Sequence, residues 1–272
     1  MASPHSAYSG SPSSQTAVQL PRNLARPPYR ELARDAIAAV SPELAGVPAE
    51  YIRNGLIEQG PRMLSGNSCL SLPSNISRSR LPSSINVGLR PPTSSVAPLS
   101  PTHVLAISQS KSHSDHVAIF PVHGVVFASH CANLPRLPAP NAQTSSSSMH
   151  LPLLALSVPS AAAFALIHSF LYTHSIGSLL ASLLPLPKEF THGLSAEAAQ
   201  HTMQSRSKMQ KLSHALCSAS GRNPQALMAH ASHVKELWQD VVHLGVHSPE
   251  LWLAIDLAWD IVLGAFNVAS QH

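Results

Sequence analysis

Residues 116–130 read HVAIFPVHGVVFASH, and residues 150–174 read HLPLLALSVPSAAAFALIHSFLYTH. These two stretches decide the fold class. Val117 to Val122 is a short apolar run rich in β-formers. Across the polar turn SQSKSHSDH, which ends at His116, it faces a second such run, Thr102 to Ser108 (THVLAIS), so two strands are predicted. Gly124 to Leu134 then reads as a short apolar helix. A Pro/Asn/Ser loop from Pro135 to Ser148 leads into a third strand, His150 to Ser157. Pro159 opens an apolar helix running to Tyr172, with Phe164, Ile167 and Leu171 at helical spacing. Strands and helices alternate over residues 101–187, so the expected class is α+β, a mixed core with three short strands.

Downstream, residues 188–272 read as a helical region. One helical segment is expected over Ser195 to Ser218. Asn223-Pro224 has the order of a cap and a first-turn proline. After it, Leu227, Ala231, Val234, Trp238, Val241 and Val242 form a stripe that Gly245 ends. Ser248-Pro249-Glu250 caps the last helix, where Leu251, Trp252, Ile255, Ala258, Trp259 and Val262 keep helical period while Asp256 and Asp260 take the opposite face. Upstream, residues 29–64 read as a short helical arm, with helices over Tyr29 to Val40 and Pro48 to Leu64. Residues 1–28 are expected to be a disordered Ser/Pro-rich tail. Residues 65–100 are expected to be a Ser/Pro-rich linker with one strand around Ile85 to Leu89.

The charge balance limits the partners. The formal net charge is +4, but charged residues make up only 11% of the chain. Residues 1–100 hold nine Arg against five acids, and no Lys/Arg run resembles a phosphate-tracking surface, so nucleic acid is not an expected partner. The three cysteines, Cys69, Cys131 and Cys217, are far apart and form no CxxC pair. That spacing fits reduced thiols in the cytoplasm or nucleus.

From Leu137 to Pro187 there is no Asp, Glu, Lys or Arg, and residues 161–186 exceed the roughly 20 needed to span a bilayer. His168, Ser169, Thr173, His174 and Ser175 interrupt that run, so a buried helix pair is expected, with a membrane anchor as the competing reading. His230 with His233, and His243 with His247, have a spacing that places two imidazoles on one helix face. A zinc site needs a third ligand, which the neighbouring sequence does not supply, so no metal is expected. No GxSxG, Walker, GxGxxG or HExxH motif occurs, and neither an enzyme activity nor a cofactor or small-molecule substrate is expected. Trp238, Trp252 and Trp259 read either as core or as anchors of a partner-binding surface. The acidic balance of residues 223–272, with Asp256 and Asp260, suits a basic partner.

The order strand, strand, PVHGVVFASH, strand, VPSAAAFALIHSFLYTH resembles the BTB/POZ fold. The resemblance covers roughly residues 102–184. His123 matches that family's His, Ser129 its Ser near the helix end, and Phe164, Phe170, Leu171, Tyr172 and Thr173 its second motif. The family's glycine after this segment is His174 here. Over nearly the whole chain, SPELAGVPAEYIRNGL, FPVHGVVFASHCANLP, FLYTHSIGSLLASLLPLP and LWQDVVHLGVHSPELWLAIDLAWDIVLGA are similar to the basidiomycete clampless family of sexual-development regulators. That resemblance implies a nuclear role downstream of mating-type signalling, in clamp-cell formation and the dikaryotic cell cycle, exerted through protein partners such as transcription factors. The BTB/POZ resemblance implies an alternative role as a substrate adaptor for a cullin ubiquitin ligase.

Overall fold

The computed structural model describes residues 20–73, 76–92, 97–112, 114–140, 143–145 and 147–271. An extended segment, residues 20–33, precedes α1 (Arg34–Val40), a 3-10 turn (Pro42–Leu44) and the long α2 (Ala49–Ser68). Next come β1 (Leu70–Ser71), β2 (Ile76–Ser77), a 3-10 turn (Arg78–Arg80) and β3 (Ser84–Leu89). The centre holds β4 (His103–Gln109), β5 (His116–Val122), α3 (Gly124–His130), β6 (Gln143–Thr144) and β7 (Ser148–Val158). The rest is helical: α4 (Ala161–Thr173), α5 (Ile176–Leu183), α6 (Lys188–Thr191), α7 (Ala196–Gln204), α8 (Arg206–Ala219), α9 (Pro224–Leu244) and α10 (Pro249–Ala269). The α+β class and the three central strands agree with the sequence reading.

The sheet runs β1-β3-β7-β4-β5-β2, with β6 added to β7. β4 and β5 form an antiparallel hairpin in which His103 faces Val122. β7 returns parallel to β4 with Val104 opposite Leu153, and its first half pairs antiparallel with β3, Ser84 facing Pro152. β4 is covered on both faces, which is why its sequence is continuously apolar. Leu105 and Ile107 point into the main core, whereas Val104 and Ala106 join Val87, Met149 and Leu151 in a second, smaller cluster inside the curl of the sheet.

Three expectations about the N-terminal half require correction. The stretch expected as a linker, residues 65–100, supplies the strand expected around Ile85 to Leu89 as β3 and adds β1 and β2, so it is part of the sheet. Its Ser/Pro composition hid short two-residue strands that tertiary pairing stabilises. Of the tail expected to be disordered, residues 1–19 lie outside the described residues. Residues 20–28 pack on the C-terminal helices, with Leu24 buried. The helix expected from Tyr29 begins only at Arg34, because Pro27-Pro28 hold the preceding chain extended.

The helical arm belongs to the same core as the rest. Ile37 of α1 and Ile52 and Met63 of α2 join Phe127, Phe164 and Leu171 in one cluster. Gly60 shows how close this packing is: a Cβ there would lie 2.1 Å from the Tyr172 carbonyl oxygen. The segment expected as one helix over 195–218 is two helices, because Ser205 adopts an extended backbone and its hydroxyl accepts the Lys208 N–H as a cap. The uncharged 161–186 stretch is likewise divided. His174, in the left-handed region at φ 48°, ends α4, and α5 then runs only eight residues, so neither helix reaches bilayer length. α10 is long and apolar enough to cross a membrane by length and composition alone; it is packed among α5, α7, α8 and α9.

Candidate docking face on the C-terminal helices

The caps read from sequence fix α9 and α10. The Asn223 side chain accepts the Gln225 N–H, Gly245 closes α9 at φ 64°, and Ser248 accepts the Leu251 N–H at 3.3 Å. These two helices carry the three tryptophans. Trp252 and Trp259 are buried and Trp238 is half-buried. Two of them bond to the N-terminal segment. The Trp259 indole N–H donates to the Pro21 carbonyl at 3.1 Å, and the Trp238 N–H donates to the Ala25 carbonyl at 2.8 Å. Trp252 donates to Val246 within its own region, at 3.3 Å. The tryptophans are therefore anchors for a peptide segment as well as parts of the core. That segment lay in the expected tail, so sequence reasoning missed Pro21, Leu24, Ala25 and Arg26. Leu24 was the available signal, an apolar residue among prolines and arginines.

The face is acidic. Arg26 forms an ion pair with Asp256 and lies 5.6 Å over the Trp252 ring. Asp260, one turn further, has no ion-pair partner among the described residues. Burial raises its carboxyl above the usual carboxylate range, and the charge of Asp256 adds to that. Beyond Arg26, Pro27 and Pro28 form one wall of a cavity of about 290 Å³ whose other walls include Asn133, Val242, His247 and Trp252. Tyr29 contacts His247 with ring centroids 4.5 Å apart, and Arg30 donates to Asn133 at 3.0 Å.

α9 also clamps the central domain. The Ser160 N–H donates to Asp240 at 2.9 Å, and its hydroxyl donates to Glu236 at 2.9 Å. One turn on, the His243 ring donates to the Ser157 carbonyl at 2.9 Å. Asp240 is fully buried with its second oxygen unpartnered, and burial raises its pKa to about 7. Sequence reasoning missed this corner, although a carboxylate beside Leu237 and Val241 was a visible break in an apolar stripe.

The residues that carry the BTB/POZ resemblance converge, with one exception. The His123 ring donates to Leu99 O at 3.1 Å and accepts from the Tyr172 hydroxyl at 3.2 Å, while the His123 backbone N–H donates to that hydroxyl at 3.0 Å. Burial holds the His123 pKa down to about 4. Ser129 is buried and donates to Val126 O at 3.1 Å, and its carbonyl accepts from Arg53 of α2 at 3.0 Å. Phe164 packs edge-on against Phe120, with Phe170 and Leu171 buried nearby. Thr173 is exposed and donates to Ser169 O at 3.0 Å. This constellation joins β5, α3 and α4, a packing role.

His243 and His247 serve separate contacts, and among the described residues no group of three or more His, Cys, Asp and Glu is placed to hold a metal. The three cysteines are buried and unpaired, and burial pushes the Cys131 thiol up to about 12.

Fold and site together define an α+β protein in which a tryptophan-bearing, acidic helix pair holds an extended proline- and arginine-containing segment of its own chain. Residues 27–159 match the Clampless protein 1 N-terminal domain and residues 177–272 match the Clampless protein 1 C-terminal domain, so the chain belongs to the Clampless protein 1 family. Clampless protein 1 from two strains of Cryptococcus neoformans var. neoformans is 32% identical over 132 residues, which is 48% of this chain and 24% of each relative. The match thus spans about a quarter of the curated relatives. No solved structure matches the chain significantly.

Proposed function

We propose that this chain is a non-enzymatic regulator of fungal sexual development that acts in clamp-cell formation by binding protein partners in the nucleus. Family membership supports the developmental role, since two Clampless protein 1 domains lie along the chain. The observation that carries the interaction mechanism is the α9–α10 face, where two indole N–H groups are directed at peptide carbonyls beside Asp256 and Asp260. The core adds a BTB/POZ-like reading, supported by the order of hairpin, helix, strand and helix over residues 103–173 and by the His123–Tyr172 contact.

Gene deletion in a fungus that forms clamps, followed by complementation, tests the role. The expected result is loss of clamps, restored by the wild-type chain and not by a folded Trp238→Ala variant. Normal clamps after deletion would defeat the proposal. Co-purification of a cullin with the intact chain would instead favour the adaptor reading.

A further inference from the structure

The segment already seated on the α9–α10 face shows what that face recognises. From Leu20 to Leu32 the chain reads LPRNLARPPYREL, without helix or strand. The two tryptophans bond to its backbone at Pro21 and Ala25, four residues apart, so these bonds ask only that the peptide be extended. Side-chain selection comes from between and beyond them. Leu24 is buried, Arg26 meets Asp256 and the Trp252 ring, and Pro27-Pro28 line a cavity shared with Val242 and Trp252. Indole N–H groups on carbonyls, with prolines in an aromatic-edged groove, make the physics of extended-proline recognition, in which a stiff ligand loses little entropy on binding.

The internal segment is a modest ligand. Its ion pair is surface-type, with the Arg26 side chain half exposed. It neutralises one carboxylate and leaves Asp260 without a counter-ion among the described residues. Its occupancy rests largely on tethering, which supplies an effective concentration on the order of millimolar. An incoming segment with a second cation in reach of Asp260 would have an attraction that the resident lacks.

We propose that the α9–α10 face is a docking groove for an extended, arginine- and proline-containing segment of a partner protein, and that residues 20–30 occupy it in cis until that partner displaces them. The groove rests on the interaction reading given above and assigns its partner chemistry: Leu-x-Arg-Pro-Pro with an additional basic residue. Regulation follows from the competition, since only a partner that outbinds the tethered segment gains access.

Binding to the full-length chain tests this, with fluorescence anisotropy of two labelled peptides. One is LPRNLARPPYREL; the other keeps only the Leu-x-Arg-Pro-Pro frame, with serine elsewhere and one added arginine. The wild-type chain should bind both weakly. The chain with Leu24→Ser and Arg26→Ser, folded by circular dichroism, should bind both at least about tenfold tighter, because the tethered competitor is weakened. Adding Asp256→Asn and Asp260→Asn to it should abolish that gain.

Equal affinity of wild-type and arm-weakened chains for both peptides overturns the proposal, as does binding indifferent to the two aspartates. Binding of the self peptide alone, with concentration-dependent dimers of the wild-type chain in light scattering, assigns the groove to a second copy and also overturns the partner assignment. If peptide binding fails while gene deletion still abolishes clamps, the groove is wrong and the developmental role stands. If deletion leaves clamps intact while peptides bind as described, the role fails alone.

Discussion

Asp240→Asn is expected to leave the fold intact and to change how stability depends on pH. The carboxyl is fully buried, one oxygen accepts the Ser160 N–H at 2.9 Å, and the other accepts nothing. Burial raises its pKa from 3.8 to about 7, against the Ser160 bond, and the charge of Glu236 adds to the rise. Between those two values the folded chain holds a proton that the unfolded chain has released. The contribution of Asp240 to stability therefore falls as pH rises from about 4 to 7, and its whole penalty is present above 7. At about 1.4 kcal/mol per pH unit the window amounts to about 4 kcal/mol. The amide carries no charge at any pH and keeps an oxygen for Ser160. Urea unfolding of both proteins at pH 8 and pH 5 isolates the effect, because every other titrating group is shared. About two of those three pH units lie above pH 5, so the variant's stability relative to wild type should be about 3 kcal/mol higher at pH 8 than at pH 5. A difference between the two proteins that is the same at both pH values would refute the reasoning.

Other outcomes follow from the same contacts. Between pH 6.5 and 4 the wild-type chain should lose stability on acidification, because His123 and His130 are held at about 4 and each opposes protonation, outweighing the contrary Asp240 and Asp260; thermal melts across that range check it. Gly60→Ala should cost about 3 kcal/mol, since the new methyl would meet the Tyr172 carbonyl oxygen, whereas Gly55→Ala, with nothing within 4 Å, should be neutral or stabilising by up to about 1 kcal/mol in the same melts. Tyr172→Phe leaves the buried His123 N–H unpaired and should cost about 1–3 kcal/mol by denaturant unfolding. Trp259→Phe loses the bond to Pro21 and part of a buried ring, so trypsin should cut after Arg22 faster than in wild type and the global melt should also fall.

Local signals carried much of the fold. The β4–β5 hairpin, β7, α4, and the capped α9 and α10 were readable because apolar period, proline, glycine and serine caps act within a few residues. The limits were also local. A serine at 205 that splits a helix looks like any other serine, and two-residue strands such as β1 and β2 have no period to detect. At the candidate site, the tryptophans and the two aspartates were legible singly but were read onto opposite faces of the last helix; that Arg26 meets both Asp256 and the Trp252 ring, and that residues 20–30 occupy the site, was not legible.

The sequence by itself determined the α+β class, the caps and the amphipathic faces, because those depend on side-chain type at fixed short spacing. Only the tertiary structure decided that Trp259 reaches the Pro21 carbonyl 238 positions away, that Asp240 is buried against Ser160, and that Ser/Pro-rich residues 65–100 complete a sheet. A backbone carbonyl carries no residue identity, and a carboxylate's burial depends on what folds over it; neither is written in local spacing.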